Sequence, residues 1–96
     1  MHKLTVCYPG GDGTTFDMDY YRTTHKDLCF SSFPGLQRLE IDEGINGPYI
    51  AMAHLYFESM EALQTGLGGP NAGQAAADVA NFTNSKPVTQ ISEVVE

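Results

Sequence analysis

The residues best suited to moving a proton near neutral pH are three histidines, His2, His25 and His54. His54 sits in the run Ile50-Ala51-Met52-Ala53-His54-Leu55-Tyr56-Phe57, where alternate residues share one face of a pleated strand. It therefore shares a face with Ile50, Met52 and Tyr56. An imidazole held among apolar groups can act as a general acid or base; a hydrogen-bonded histidine at an interface is the competing reading. His25 follows Tyr21 by four residues and precedes Leu28 by three, with Cys29 beside them, so all four share one helical face. It either points into the mouth of a pocket as an acid or base, or donates a buried hydrogen bond that locks helix to sheet. Tyr8 and Tyr56 offer phenol donors to a ligand oxygen, and Gln90 and Ser92 share a face of the last apolar run. The candidate assignment is His54 and His25 as catalytic groups, with Tyr8, Met52, Tyr56, Gln90 and Ser92 contacting substrate.

Other chemistries are excluded. No His-x-x-x-His or Cys-x-x-Cys spacing occurs, so no metal site is expected. Cys7 reads as a small hydrophobe, since no base stands near it in sequence. The run Gly66-Leu67-Gly68-Gly69-Pro70-Asn71 precedes a helix start but lacks the lysine of a phosphate loop, and reads as a helix break.

Positioning these groups requires a specific order of elements. Lys3 to Tyr8 alternates as a strand and ends in Pro9-Gly10-Gly11-Asp12-Gly13. Asp17 caps a first helix, with Phe16 before it placed to staple onto Tyr20 or Tyr21, and Pro34-Gly35 stops that helix by Phe33. Leu36 to Glu43 reads as an edge strand with Leu39 and Ile41 inward. Gly44 to Pro48 is a turn, and Tyr49 to Phe57 is the central strand. Ser59 caps a second helix carrying Met60, Leu63 and Leu67. Gly68-Gly69-Pro70 breaks it, and a further helical stretch carries Ala72, Ala75, Ala76 and Val79, small enough to lie close to a neighbour. Pro87 to Val95 is the last strand. The order is β-α-β-β-α-β with the second helix split. Right-handed crossovers fold such a chain into a ferredoxin-like α+β domain, a four-stranded antiparallel sheet with helices on one face. The central strand is apolar on both faces, so a homodimer with the two sheets facing is expected, enclosing a pocket for an apolar small molecule between them.

Length and charge set the limits. Ninety-six residues make one domain, with an expected folded surface of about 5,400 Å². Five basic against twelve acidic residues leave a net charge of −7, which argues against nucleic acid and anionic membranes as partners. The first residues lack the apolar region and cleavage site of a signal peptide, and the two cysteines are too few for a disulfide scaffold. A cytoplasmic protein with reduced thiols is expected.

Residues Phe16-Asp17-Met18-Asp19-Tyr20-Tyr21-Arg22-Thr23-Thr24-His25-Lys26-Asp27-Leu28 resemble the FD-x-DYY-x-x-x-H-x-x-L signature of the EthD domain. The endings Lys3 to Pro9 and Asp78 to Val94 are similar to that family as well. The resemblance implies a dimeric α/β barrel. Related proteins in that superfamily include cofactor-free monooxygenases, polyketide cyclases, isomerases and haem enzymes. It therefore leaves open a cofactor-free enzyme using a cavity histidine or a non-catalytic binding or accessory protein; haem is not expected here. Members often carry Pro where this chain has Asp27, so the first helix is expected to run straighter or longer.

Overall fold

A computed structural model describes residues 1–96. Four strands, β1 (His2–Pro9), β2 (Arg38–Glu43), β3 (Tyr49–Phe57) and β4 (Val88–Glu93), form one antiparallel sheet in the order β2-β3-β1-β4. The long apolar strand is interior, as its composition requires, and the alternating β2 lies at an edge. Its hairpin with β3 turns through Gly47, whose φ of 132° a side chain would strain. No helix is long and apolar enough to cross a membrane.

The first helix covers residues 18–32. Asp17 caps it, its carboxylate accepting from the Tyr20 N–H at 3.1 Å. Phe16 packs on Tyr21 with ring centroids 5.0 Å apart, the expected staple. The helix is not uniform: Tyr21–His25 is a π-helical turn, and the Lys26 N–H reaches back to the Tyr21 carbonyl. Without a proline the helix does continue to Ser32, but it widens where straightness was expected. Ser59 caps the second helix, Met60–Leu67, by accepting from the Ala62 N–H at 3.1 Å. The third, Ala72–Asp78, runs into a short 3₁₀ turn, Val79–Asn81. Gly66 packs so closely on β3 and the first-helix exit that a Cβ would come within 2.7 Å of the Phe57 ring and the Pro34 carbonyl.

Register divides the sheet into two faces. Tyr8, Leu39, Ala51, Ala53, Leu55 and Phe57 pack beneath the helices as the core. The other face carries three cross-strand rows: Arg38-Tyr56-Lys3-Ser92, Glu40-His54-Thr5-Gln90 and Asp42-Met52-Cys7-Val88. Met52, His54 and Tyr56 do lie opposite the helices, as the alternation of β3 predicts. The surface they join is nevertheless polar, because β1, β2 and β4 supply charged and hydroxyl neighbours. The accessible surface of 5789 Å² exceeds the size-based expectation, in keeping with this uncovered face and with the cavity on the other side.

Candidate functional site

A half-open cavity of about 790 Å³ lies between the helices and the sheet. It is lined by Leu4, Val6, Leu39, Ile41, Ala53 and Leu55 from the sheet and roofed by the alanine-rich third helix. The small side chains of that helix let it lie close to the first helix, as expected, while toward the sheet Ala72, Ala75, Ala76 and Ala80 leave the volume unfilled. Its size suits a small organic ligand. The polar groups that reach it are few: Tyr8, Tyr21, His25, Cys29 and a rim formed by Thr83, Asn84, Ser85, Lys86 and Thr89.

His25 is the centre of this lining. It is 6% exposed and sits at the end of the π turn, with its ring stacked on Tyr21 at 5.2 Å and tilted against Phe82 at 4.7 Å. Its Nδ1 lies 2.8 Å from an oxygen of buried Asp78. The other Asp78 oxygen accepts from the Tyr20 hydroxyl at 2.7 Å and from the Asn81 amide at 2.9 Å. Burial pushes the Asp78 carboxyl up. The hydrogen bonds from Asn81, His25 and Tyr20, with the His25 charge, outweigh burial and hold it below the usual carboxylate range. An ionised carboxylate only accepts, so Nδ1 carries a proton and Nε2 is the ring nitrogen left for other partners. The one hydrogen bond of the His25 ring is this contact through Nδ1, and the residue lines the cavity. Asp78 is the functional residue that sequence reasoning missed. Its signal was there: it is the single charged residue in the alanine-rich third helix, three residues after Ala75 on the apolar stripe.

The phenols and thiol beside His25 stay neutral. Burial raises Tyr8 to about 12, the neighbouring Tyr21 hydroxyl pulling the other way, and burial lifts Tyr21 well above the ordinary phenol range. Burial, with the Asp78 charge, also raises Cys29 to about 12, which removes it as a nucleophile.

His54 is elsewhere. Its Nε2 lies 2.9 Å from Asp42, and its Nδ1 is approached by the Lys3 ammonium at 3.4 Å and the Thr5 hydroxyl at 3.5 Å. With Nε2–H donating to the carboxylate, its remaining lone pair already has donors in front of it. Tyr56 donates to Glu40 at 2.7 Å and Glu40 also pairs with Arg38; these two bonds lower the Glu40 carboxyl, and Glu40 raises the Tyr56 phenol. Gln90 donates to Ser92 on the same face. Of the seven residues singled out in sequence, the cavity brings together only His25 and Tyr8. Met52, His54, Tyr56, Gln90 and Ser92 lie across the sheet from it. No cluster of three or more His, Cys, Asp or Glu side chains is arranged to hold a metal ion.

Comparison with known proteins gives the family. The chain is 32% identical over 91 residues, 88% of its length and 85% of the relative's, to an uncharacterised 11.0 kDa protein of Rhodococcus erythropolis encoded between thcB and thcC. An EthD-like protein from Ralstonia eutropha JMP134 superposes with a TM-score of 0.88 at 28% identity, covering 99% of this chain and 92% of that one. The chain belongs to the EthD family. An EthD-family protein from Bacillus halodurans C-125 shares the fold at a TM-score of 0.77 and 21% identity, with 99% of both chains covered. At the level of fold alone, this EthD chain also resembles SnoaB, a cofactor-independent oxygenase from Streptomyces nogalater (TM-score 0.68, 11% identity, 99% and 92% covered). It resembles likewise a dimeric ferredoxin-like protein from Thermobifida fusca (TM-score 0.69, 14% identity, 97% and 90% covered). A scan against family models returned no match.

Proposed function

We propose that the cavity between helices and sheet binds an apolar organic molecule and that His25 transfers a proton on it without a cofactor. The observation that carries this reading is the buried Asp78–His25 pair in the lining of an apolar cavity, bonded through Nδ1 and so leaving Nε2 for a ligand. A carbon acid seated there gives its proton to Nε2. Asp78 stabilises the resulting imidazolium, and the neutral Tyr8 and Tyr21 phenols are placed to hydrogen-bond the enolate oxygen. Return of the proton to another carbon completes an isomerisation; attack of the enolate on a second carbonyl of the same molecule, whose new alkoxide takes the proton back from Nε2, completes a cyclisation. Oxygenation, the activity named for SnoaB, would require dioxygen as a co-substrate.

The open sheet face is assigned to a second copy of the chain, in line with the dimeric ferredoxin-like neighbour. Met52, His54, Tyr56, Gln90 and Ser92 are then interface groups. This reading departs from a ligand pocket between the sheets because the face is filled by its own hydrogen bonds, whereas the helix-side cavity is open. Sedimentation at micromolar concentration tests the assembly; a stable monomer would exclude it.

Exchange of the acidic C–H protons of beta-tetralone in deuterium oxide, followed by NMR, tests the chemistry. The protein should accelerate exchange, and His25→Gln should lose that acceleration while still binding the ketone. Binding without acceleration in the unaltered protein would leave a non-catalytic carrier as the function.

A further inference from the structure

The cavity has a charged rim as well as a proton-accepting interior. Lys86 is the one lysine, arginine or carboxylate among its lining residues. The chain has only five basic residues for its net charge of −7. Arg22 and Arg38 are paired with Asp19 and Glu40, and Lys3 lies against His54 and Tyr56. Lys26 and Lys86 pair with no carboxylate, and of these two only Lys86 lines the cavity.

The segment that carries Lys86 is fixed. The Thr83 hydroxyl donates to the Thr15 carbonyl at 2.6 Å, and the Ser85 hydroxyl donates to the Pro9 carbonyl at 2.7 Å. Asn84 donates to the Gly13 carbonyl at 2.9 Å and accepts from the Thr15 N–H at 3.0 Å. Every polar side chain from 83 to 85 is thus engaged with the glycine-rich loop after β1, and the ammonium of the next residue is left to meet a ligand. Lys86 is exposed and His25 is buried, so a ligand running from surface to interior meets the cation first and the base last.

We infer that the ligand is an elongated apolar acid carrying a single negative charge, its carboxylate held by Lys86 at the rim and its proton-donating carbon at His25. This deepens the proposed function and rests on the cavity being the ligand site. A lone ammonium in a molecule of strongly negative charge favours a monoanion over a dianion, because each further charge is repelled by the rest of the surface. The long apolar lining favours a hydrocarbon or aromatic body over a sugar-like one.

Calorimetric titration with naphthylacetate, with the neutral naphthaleneethanol of similar shape, and with naphthyl phosphate tests the inference. The acid should bind about threefold to tenfold tighter than the alcohol, the range of a partly solvated charge pair, and tighter than the phosphate. Lys86→Gln, at an exposed position, should erase the acid's advantage and leave the alcohol unchanged. Equal binding of acid and alcohol, or an acid affinity indifferent to Lys86→Gln, would overturn the role of Lys86 while leaving the cavity reading intact. Preferred binding of the phosphate would overturn the monoanion assignment. Failure of all three probes to bind would remove the cavity as the ligand site, and this inference with it.

Discussion

Two histidine–aspartate pairs occupy opposite faces of one sheet, and their contacts are similar: 2.8 Å for His25–Asp78 and 2.9 Å for His54–Asp42. Their surroundings separate them. The side chains of His25 and Asp78 are 8% and 9% exposed; those of His54 and Asp42 are 15% and 58%. Asp78 has three donors and holds Nδ1 of a ring that lines a cavity. Asp42 stands in solvent, and the far nitrogen of His54 faces Lys3 and Thr5. A histidine beside a carboxylate is therefore not a base by virtue of the pair alone. What decides is whether the second nitrogen has somewhere to send its lone pair.

The largest expected effect comes from breaking each pair on its acidic side. Asp78→Ala leaves the buried His25 N–H and the half-buried Tyr20 hydroxyl without their acceptor and should cost about 2 to 3 kcal/mol in urea unfolding, whereas Asp42→Ala should cost less than about 1 kcal/mol. Similar losses at the two sites would dissolve the contrast.

Next is the reaction itself. His25→Gln should lower the proton-exchange rate by about a hundredfold or more, the usual contribution of a placed base, and His54→Gln should leave it unchanged in the folded protein. Loss of exchange in the His54 variant with binding intact would transfer the chemistry to the other face.

A third contrast lies in acid. The Asp78 carboxyl is held below its unfolded value of about 3.9, so the unfolded chain takes up this proton first. Its stabilisation is full above the unfolded value and is lost as the pH falls through the folded one. Asp78→Asn should flatten that acid limb of the stability curve, read by urea unfolding across the acid range. A parallel acid limb in Asp78→Asn would show that the carboxylate is not held as described.

The smallest effect concerns Tyr8. A neutral phenol that hydrogen-bonds a developing oxyanion should be worth about tenfold in exchange rate, so Tyr8→Phe should reduce the rate by that factor without moving ligand affinity much. An unchanged rate would reduce Tyr8 to a wall of the cavity.

Much of the scaffold was legible because it rests on local rules. The alternation of Tyr49–Phe57 placed His54 opposite the core, the 4 and 3 spacing placed Tyr21, His25 and Cys29 together, and Asp17 and Ser59 acted as the caps their positions predict. The widened turn at Tyr21–His25 was not legible, since the missing Pro at position 27 pointed to a straighter helix. The alanines of the third helix predict close packing and give it against the first helix, yet toward the sheet the same small side chains leave a gap, because what stands opposite decides. Asp78 was passed over because its partner lies 53 residues away in the chain.

The sequence by itself determined the element order, the edge and interior strands, the face on which each strand residue stands and the family signature, because periodicity and capping act within a few residues. Tertiary structure decided which histidine lines the cavity. Strand pairing set Lys3, Asp42 and Thr5 around His54, and helix packing set Asp78 behind His25 with empty space in front of it. Both outcomes depend on groups brought together only when the sheet and helices close, and a proton-transfer site is defined by the neighbours of the imidazole as much as by the imidazole.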